Sequence, residues 1–251
     1  MRFVVNPNLP NCCKLVLVGE KYAEKLFEKL SEYDIDILPV PDNPYVDIRL
    51  SGHADLSVLH TGGEKLVLAP FLKGSEFSQK LAEYGASAYY ADLEQRAEYP
   101  YDSQMNICLI GNKLICSKFY EKSNLVNFLT IGRKLNVLSS RQGYVKCSMC
   151  VVNENAFITA DPSLYRIGSS CGMDVLRIRP GYIKLDGFDY GFIGGASFKL
   201  SANQIAFTGH LNEHPDITSI LDFLGLHNVD PVFLTEAPAF DIGSAIPLLE
   251  K

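Results

Sequence analysis

Apolar residues recur along this chain in two alternating rhythms, one of period two and one of three to four. Five short segments open on a polar or small residue and continue with β-branched and aliphatic ones: KLVLV from Lys14, KLVLA from Lys65, KLICS from Lys113, AFITA from Ala156 and QIAFT from Gln204. Their length and composition predict strands. A helical stripe follows each strand. Tyr22, Leu26, Leu30 and Tyr33 mark the first, and Phe77, Leu81 and Tyr84 the second, with Ser75 as its N-cap. Leu125, Phe128 and Leu129 mark the third. Asp161-Pro162 opens a fourth that Gly168 and Gly172 are expected to cut short, and Ile217, Ile220, Leu221 and Leu224 form a fifth between Asp216 and a C-capping Gly225. Each helix gives way to another strand: IDILPV, ASAYYA, NVLSS, DVLRI and PVFLT.

A partner strand precedes four of the five segments through a tight turn: LSVL before TGGE, ICLI before GN, MCVV before NEN and SFKL before SAN. The first segment lacks such a partner. The last apolar strand, GSAIPLL at the C-terminus, has no strand after it. Pairing the two closes a ring of five β-β-α-β units, the fifth split between the termini. Closure also removes exposed sheet edges. A recurrence at roughly 45 to 50 residues is the mark of such an array, and no linker or low-complexity stretch divides the chain, so residues 1–251 are expected to form a single α/β propeller domain.

Composition narrows the function. The 251 residues are 47% hydrophobic and 21% charged, which excludes disorder, and no apolar run reaches the roughly 18 residues of a membrane span. The net charge of −6 argues against binding a phosphate backbone, so no nucleic-acid or membrane partner is expected. Seven cysteines, an odd number in a chain of this size, fit reduced thiols and a cytoplasmic location, with no secretory signal at the N-terminus.

A five-bladed ring of β-β-α-β units resembles the pentein superfamily, the guanidino-group-modifying fold that includes dimethylarginine dimethylaminohydrolases, arginine and agmatine deiminases, amidinotransferases and a noncatalytic ribosomal factor. The stretches VKCSMCVVNENAFITA and FKLSANQIAFTGHLNEHPD are similar to the dimethylarginine hydrolases. The resemblance implies a cysteine that attacks a guanidinium carbon, a histidine that serves as general acid and base, and carboxylates that hold the cation. Laid end to end in the family's order, Gly243 stands where the nucleophile belongs, Tyr144 where the histidine belongs, and Asp55 on a cation-binding aspartate. Rotated by two blades, HADLSVL resembles the deiminase H-x-D motif and places His53 and Asp55. Cys147 then falls on the nucleophile and Asp241, two residues before Gly243, on the acidic residue of the preceding blade.

Each candidate has a plainer reading beside it. His53 and Asp55, two apart on an expected strand, would share one face, as an imidazole working beside a carboxylate requires; a polar patch capping loop amides is the alternative. Cys147 and Cys150 form a C-x-x-C, yet positions three apart on a strand point to opposite faces, so no metal and no cofactor is expected. Cys150 reads as core, while Cys147, beside Lys146, is expected to have a lowered pKa. Cys171 in a glycine-flanked loop is a competing nucleophile, Gly191, Gly194 and Gly195 read as close backbone approach near the ring axis, and Pro215 forbids a helix through His210 and His214. The expected ligand is a small cationic guanidino or amine metabolite, such as an arginine derivative, held by Asp55 and Asp241. Two functions stay open: a Cys147/His53 guanidine hydrolase or amidinotransferase, and a catalytically degenerate pentein that acts as a binding or assembly module.

Overall fold

The computed structural model describes residues 1–251. Five small sheets, each with one helix, carry the repeat seen in the sequence. The first blade has β1 (Arg2–Phe3), β2 (Cys13–Gly19), α1 (Glu20–Glu32) and β3 (Asp36–Val40). The second has β4 (Val58–Gly62), β5 (Lys65–Leu68), α2 (Glu76–Glu83) and β6 (Ser87–Tyr90), and the third β7 (Cys108–Ile110), β8 (Lys113–Ser117), α3 (Asn124–Thr130) and β9 (Asn136–Ser140). The fourth has β10 (Cys150–Asn153), β11 (Ala156–Thr159), α4 (Pro162–Ser170) and β12 (Asp174–Arg177). The fifth has β13 (Ser197–Ser201), β14 (Gln204–Phe207), α5 (Ile217–Leu226) and β15 (Asp230–Phe233). The last strand, β16 (Ile246–Glu250), returns to the first blade.

In every blade the first pair is antiparallel and the second parallel, the helix making the crossover. The terminal closure is as the sequence predicts: β16 runs antiparallel to β2, with Ile246 opposite Leu17, and β2 runs parallel to β3. One addition was not foreseen. The short β1 pairs with the free edge of β16, so this blade has four strands.

Order around the ring is fixed by packing, because each of the five large apolar clusters joins two neighbouring blades. Leu15 and Leu17 pack with Val58 and Leu66; Leu59 and Val67 pack with Ile107 and Leu109. Cys108 and Ile115 pack with Val151 and Phe157, Cys150 and Ile158 with Ile205 and Phe207, and Phe198 and Ala206 with Val16 and Val18, which completes the circuit. No blade buries its own sheet without its neighbours.

Local chemistry sets the helix ends. Ser75 accepts from the Ser78 amide and Asp161 from Ser163 and Leu164, with Pro162 in the first turn. Two expectations need correction. The fourth helix runs through Gly168 to Ser170, because a side chain at 168 would meet the Phe157 ring and Val175 at 2.7 Å; glycine there lets the helix lie close on its sheet. In α5, Gly225 lies inside the helix and His227 is the C-cap, while the Asp216 carboxylate is held by Arg179 instead of capping.

Candidate active site

All five leading strands are preceded by a segment whose equivalent positions meet at one centre, the segment before β13 contributing Gly194 and Gly195. Asp55, Cys147 and Gly243 each stand three residues before the first residue of β4, β10 and β16, and Asn106 stands two before β7. Backbone hydrogen bonds knit these segments together: Gly195 N donates to Cys147 O, Ile242 N and Ser244 N to Gly195 O, and Asp55 N to Gly243 O. A pseudosymmetric ring therefore puts side chains from different blades within reach of one another without a special loop for any of them.

His53, Asp55 and Cys147 come together at this centre, with their ring nitrogen, carboxylate oxygen and sulfur all within 4.8 Å of one another. Cys147 Sγ donates to Asp55 Oδ2 at 3.0 Å, and Asn106 grips the same cysteine twice, Nδ2 donating to Sγ at 3.4 Å and Oδ1 accepting from the Cys147 amide at 3.1 Å. Asp241 lies beside the imidazole, with Oδ1 3.9 Å from His53 Nδ1. Its carboxylate is fixed by the amides of Gly243 and Phe192 at 2.9 and 2.8 Å. All four predicted residues thus occupy one centre. Asn106 was not singled out in the sequence; aligning the positions just ahead of each leading strand is the signal that finds it.

The local backbone differs from expectation. Asp55 sits in a single 3-10 turn, Ala54–Leu56, with His53 just before it, so the pair is not on a strand. Cys147 precedes β10 rather than lying on it, although Cys150 does face the core as predicted. Cys171, the competing nucleophile, is exposed at the end of α4, and His214 Nδ1 accepts from the Asp216 amide, a loop hydrogen bond.

The centre is closed. His53 and Asp55 are 3% exposed, Asp241 2% and Cys147 1%, and the Tyr22 ring lies 6.3 Å from the His53 ring. Burial sets the protonation states. It pushes the Asp55 carboxyl up to about 7, opposed by the Cys147 hydrogen bond and the Lys146 charge. It holds His53 below the usual imidazole range, with Asp241 pulling back. Burial, and then the charges of Asp55 and Asp241, drive the Cys147 thiol well above its ordinary value, the reverse of the lowered pKa expected from Lys146. That lysine is itself buried and donates to Ser244 Oγ at 2.8 Å. His53 Nε2 and Asp55 Oδ1 have no hydrogen-bond partner in the protein, two polar atoms left free for something that enters.

Gly243, in the nucleophile's place in the end-to-end register, has φ +69°, and a Cβ there would lie 2.3 Å from His53 Cβ. No cysteine fits at that position. Tyr144, in the histidine's place, donates its hydroxyl to Asp102, and burial raises its pKa further, so it offers no base.

Asp55 makes a stability prediction. A carboxyl whose folded pKa lies above the usual ~3.9 contributes stability that is complete below about pH 4 and lost as pH rises through 7. Asp55→Asn should equal the wild type near pH 4 and exceed it by on the order of 4 kcal/mol at about pH 9, in urea titrations across pH. A variant with no advantage at high pH would mean that Asp55 is not a buried acid.

His53, Asp55 and Cys147 together could also ligate one divalent ion, offering one nitrogen, one oxygen and one sulfur donor, though the thiol proton now shared with Asp55 would have to leave.

This fold, a closed ring of five β-β-α-β blades whose leading segments converge on one centre, is that of the pentein superfamily. Solved structures similar in fold include an amidinotransferase of saxitoxin biosynthesis from Microseira wollei, at 10% identity and TM-score 0.64 over 99% of this chain and 97% of that one. An agmatine deiminase from C. jejuni matches at 10% identity and TM-score 0.55 over 100% and 97%. A DDAH from Pseudomonas aeruginosa complexed with citrulline matches at 11% and 0.56 over 95% and 100%. No curated protein matches the sequence. The chain belongs to the Family of unknown function (DUF6873), whose pattern spans residues 17–246.

Proposed function

We propose that the protein is a guanidino-group-modifying enzyme, a hydrolase or amidinotransferase in which Cys147 is the nucleophile, His53 the general acid and base, and Asp55 and Asp241 the cation-binding carboxylates. The observation that carries this reading is the convergence of Cys147, His53 and Asp55 within 4.8 Å at a buried centre, with Asp241 beside the imidazole. Two carboxylates at one centre suit a planar cation such as a guanidinium. Burial holds the thiol protonated, and the carboxylate charges add to it; an entering cation offsets both by favouring the thiolate, so the substrate itself activates the nucleophile. The thiol gives its proton to His53 as Sγ bonds to the guanidinium carbon, and the C–N bond then breaks as the amine leaves with that proton. Water, deprotonated by His53, or an acceptor amine next attacks the S-bound carbon, and the C–S bond breaks to return the thiolate. The free state of all seven cysteines fits a reducing compartment and the cytoplasm.

A second reading, a catalytically degenerate pentein that serves as a binding or assembly module, is favoured by the closed centre and the raised thiol pKa. Calorimetry with guanidinium, methylguanidine, agmatine and arginine separates the two. Cation binding should release the Asp55 proton, so affinity should rise by up to about tenfold per pH unit below 7 and level off above it. Binding that is flat with pH, or absent at millimolar concentration, would remove the guanidine reading.

A further inference from the structure

Beside the closed centre lies a cavity of about 160 Å³ between the fourth and fifth blades. Its walls include Ile178, Tyr182, Tyr190, Phe192 and His214, and its polar lining is Gln142, Ser148, Asp161 and Arg179. The partition is thin. Ser148 follows Cys147 in the chain, and Phe192, whose amide holds Asp241, packs its half-buried ring between Tyr144 on one side and Tyr190 on the other.

The lining polar groups are almost all engaged. Asp161 caps α4 and accepts from Gln142, Gln142 Oε1 accepts from the Tyr144 amide, and Arg179 is paired with Asp216. Among the buried ones Ser148 is the exception: it is 2% exposed and its Oγ has no partner, whereas the Tyr182 and Tyr190 hydroxyls belong to exposed residues. A buried hydroxyl without a partner is destabilising, and a ligand that pairs with it recovers that cost. Arg179 is neutralised by Asp216, and the Asp161 carboxylate is occupied by the Ser163 and Leu164 amides and by Gln142, so no lining charge is left with an open hydrogen-bonding position buried in the cavity wall. The volume is close to that of an engineered cavity of about 150 Å³ that takes up benzene.

We propose that this cavity is the subsite for the far end of the substrate, and that it takes a neutral aromatic ring bearing one hydrogen-bonding group directed at Ser148. The substrate class is then an arylalkyl guanidine, preferred over an amino acid such as arginine. This deepens the guanidine reading and rests on it. The Phe192 ring must turn aside for one molecule to occupy both compartments.

Calorimetry on the full chain tests it, with methylguanidine, arginine, agmatine and a series of phenylalkylguanidines of increasing linker length, with and without a para hydroxyl. The best hydroxylated member should bind at least about tenfold more tightly than methylguanidine and more tightly than arginine. Ser148→Ala should narrow the gap between the hydroxylated and plain ligands, and Ala160→Leu, which fills the cavity, should narrow the gap between both and methylguanidine. If methylguanidine binds but the ring adds nothing, or arginine is tightest, the subsite is overturned while the guanidine reading stands. If no guanidine binds at all, the reading falls and the subsite with it.

Discussion

Deleting residues 242–251 is expected to abolish the folded state, not merely to loosen its end. β16 lies between β1 and β2, and its Ile246, Leu248 and Leu249 are buried in the cluster that joins the first blade to the second. Losing three buried aliphatic side chains at about 2–5 kcal/mol each already rivals the 5–15 kcal/mol that holds a whole domain together. The deletion also reopens the ring, exposing the edge of β2, and strips Asp241 of the Gly243 amide that fixes it. Circular dichroism and size exclusion should report an unfolded or aggregated chain. Deleting residues 1–3 removes only β1, and should leave a folded protein. A circular permutant with joined termini, opened at Gly111-Asn112 between β7 and β8, should fold as well, since closure and not the position of the ends maintains the ring. A stable, cooperative truncation would contradict that architecture and the expectation that the chain folds as one unit.

The second large effect concerns chemistry. With a guanidino substrate turned over by the wild type, Cys147→Ser is expected to lower turnover by about 10⁴-fold or more, because a hydroxyl offers no comparable nucleophile at neutral pH. His53→Ala should cost about 10²–10⁴-fold, the usual range for a general acid and base. Asp241→Asn should act on KM and turnover together, since that carboxylate lies 3.9 Å from the imidazole and is the one proposed to hold the cation with Asp55. Cys171→Ser should change nothing, its sulfur being exposed at the end of α4. Loss of turnover in Cys171→Ser with Cys147→Ser still active would reverse the assignment.

How much of this was legible in the sequence depends on scale. The ring was legible, because a strand-helix-strand unit repeated five times leaves regular spacing and turn residues, and because the first and last strands lacked partners in complementary ways. That His53, Asp55, Cys147 and Asp241 would meet was legible through short motifs placed on that repeat. Asn106 was not: its blade leads with a three-residue strand and carries no motif, and its role comes from meeting Cys147 across a blade boundary. The extent of α4 was hidden because Gly168 reads as a stop until Phe157 and Val175 are seen against it. The thiol's pKa was misjudged for a related reason. Lys146 is next to Cys147 in sequence, but its ammonium is hydrogen-bonded to Ser244, while burial and two carboxylates govern the sulfur.

The most direct test is a competition between exposure and chemistry among the cysteines. Neutral iodoacetamide should label the exposed Cys12 and Cys171 first, since Cys147 is buried and protonated. Chloroacetamidine carries a guanidinium-like cation on a comparable electrophile, and should reverse the order by docking between Asp55 and Asp241. Peptide mapping by mass spectrometry is expected to find a single adduct on Cys147, slowed by methylguanidine, by His53→Ala and by Asp241→Asn. If Cys12 and Cys171 take up the cationic reagent first and Cys147 stays unmodified, Cys147 is not the nucleophile of a guanidinium site.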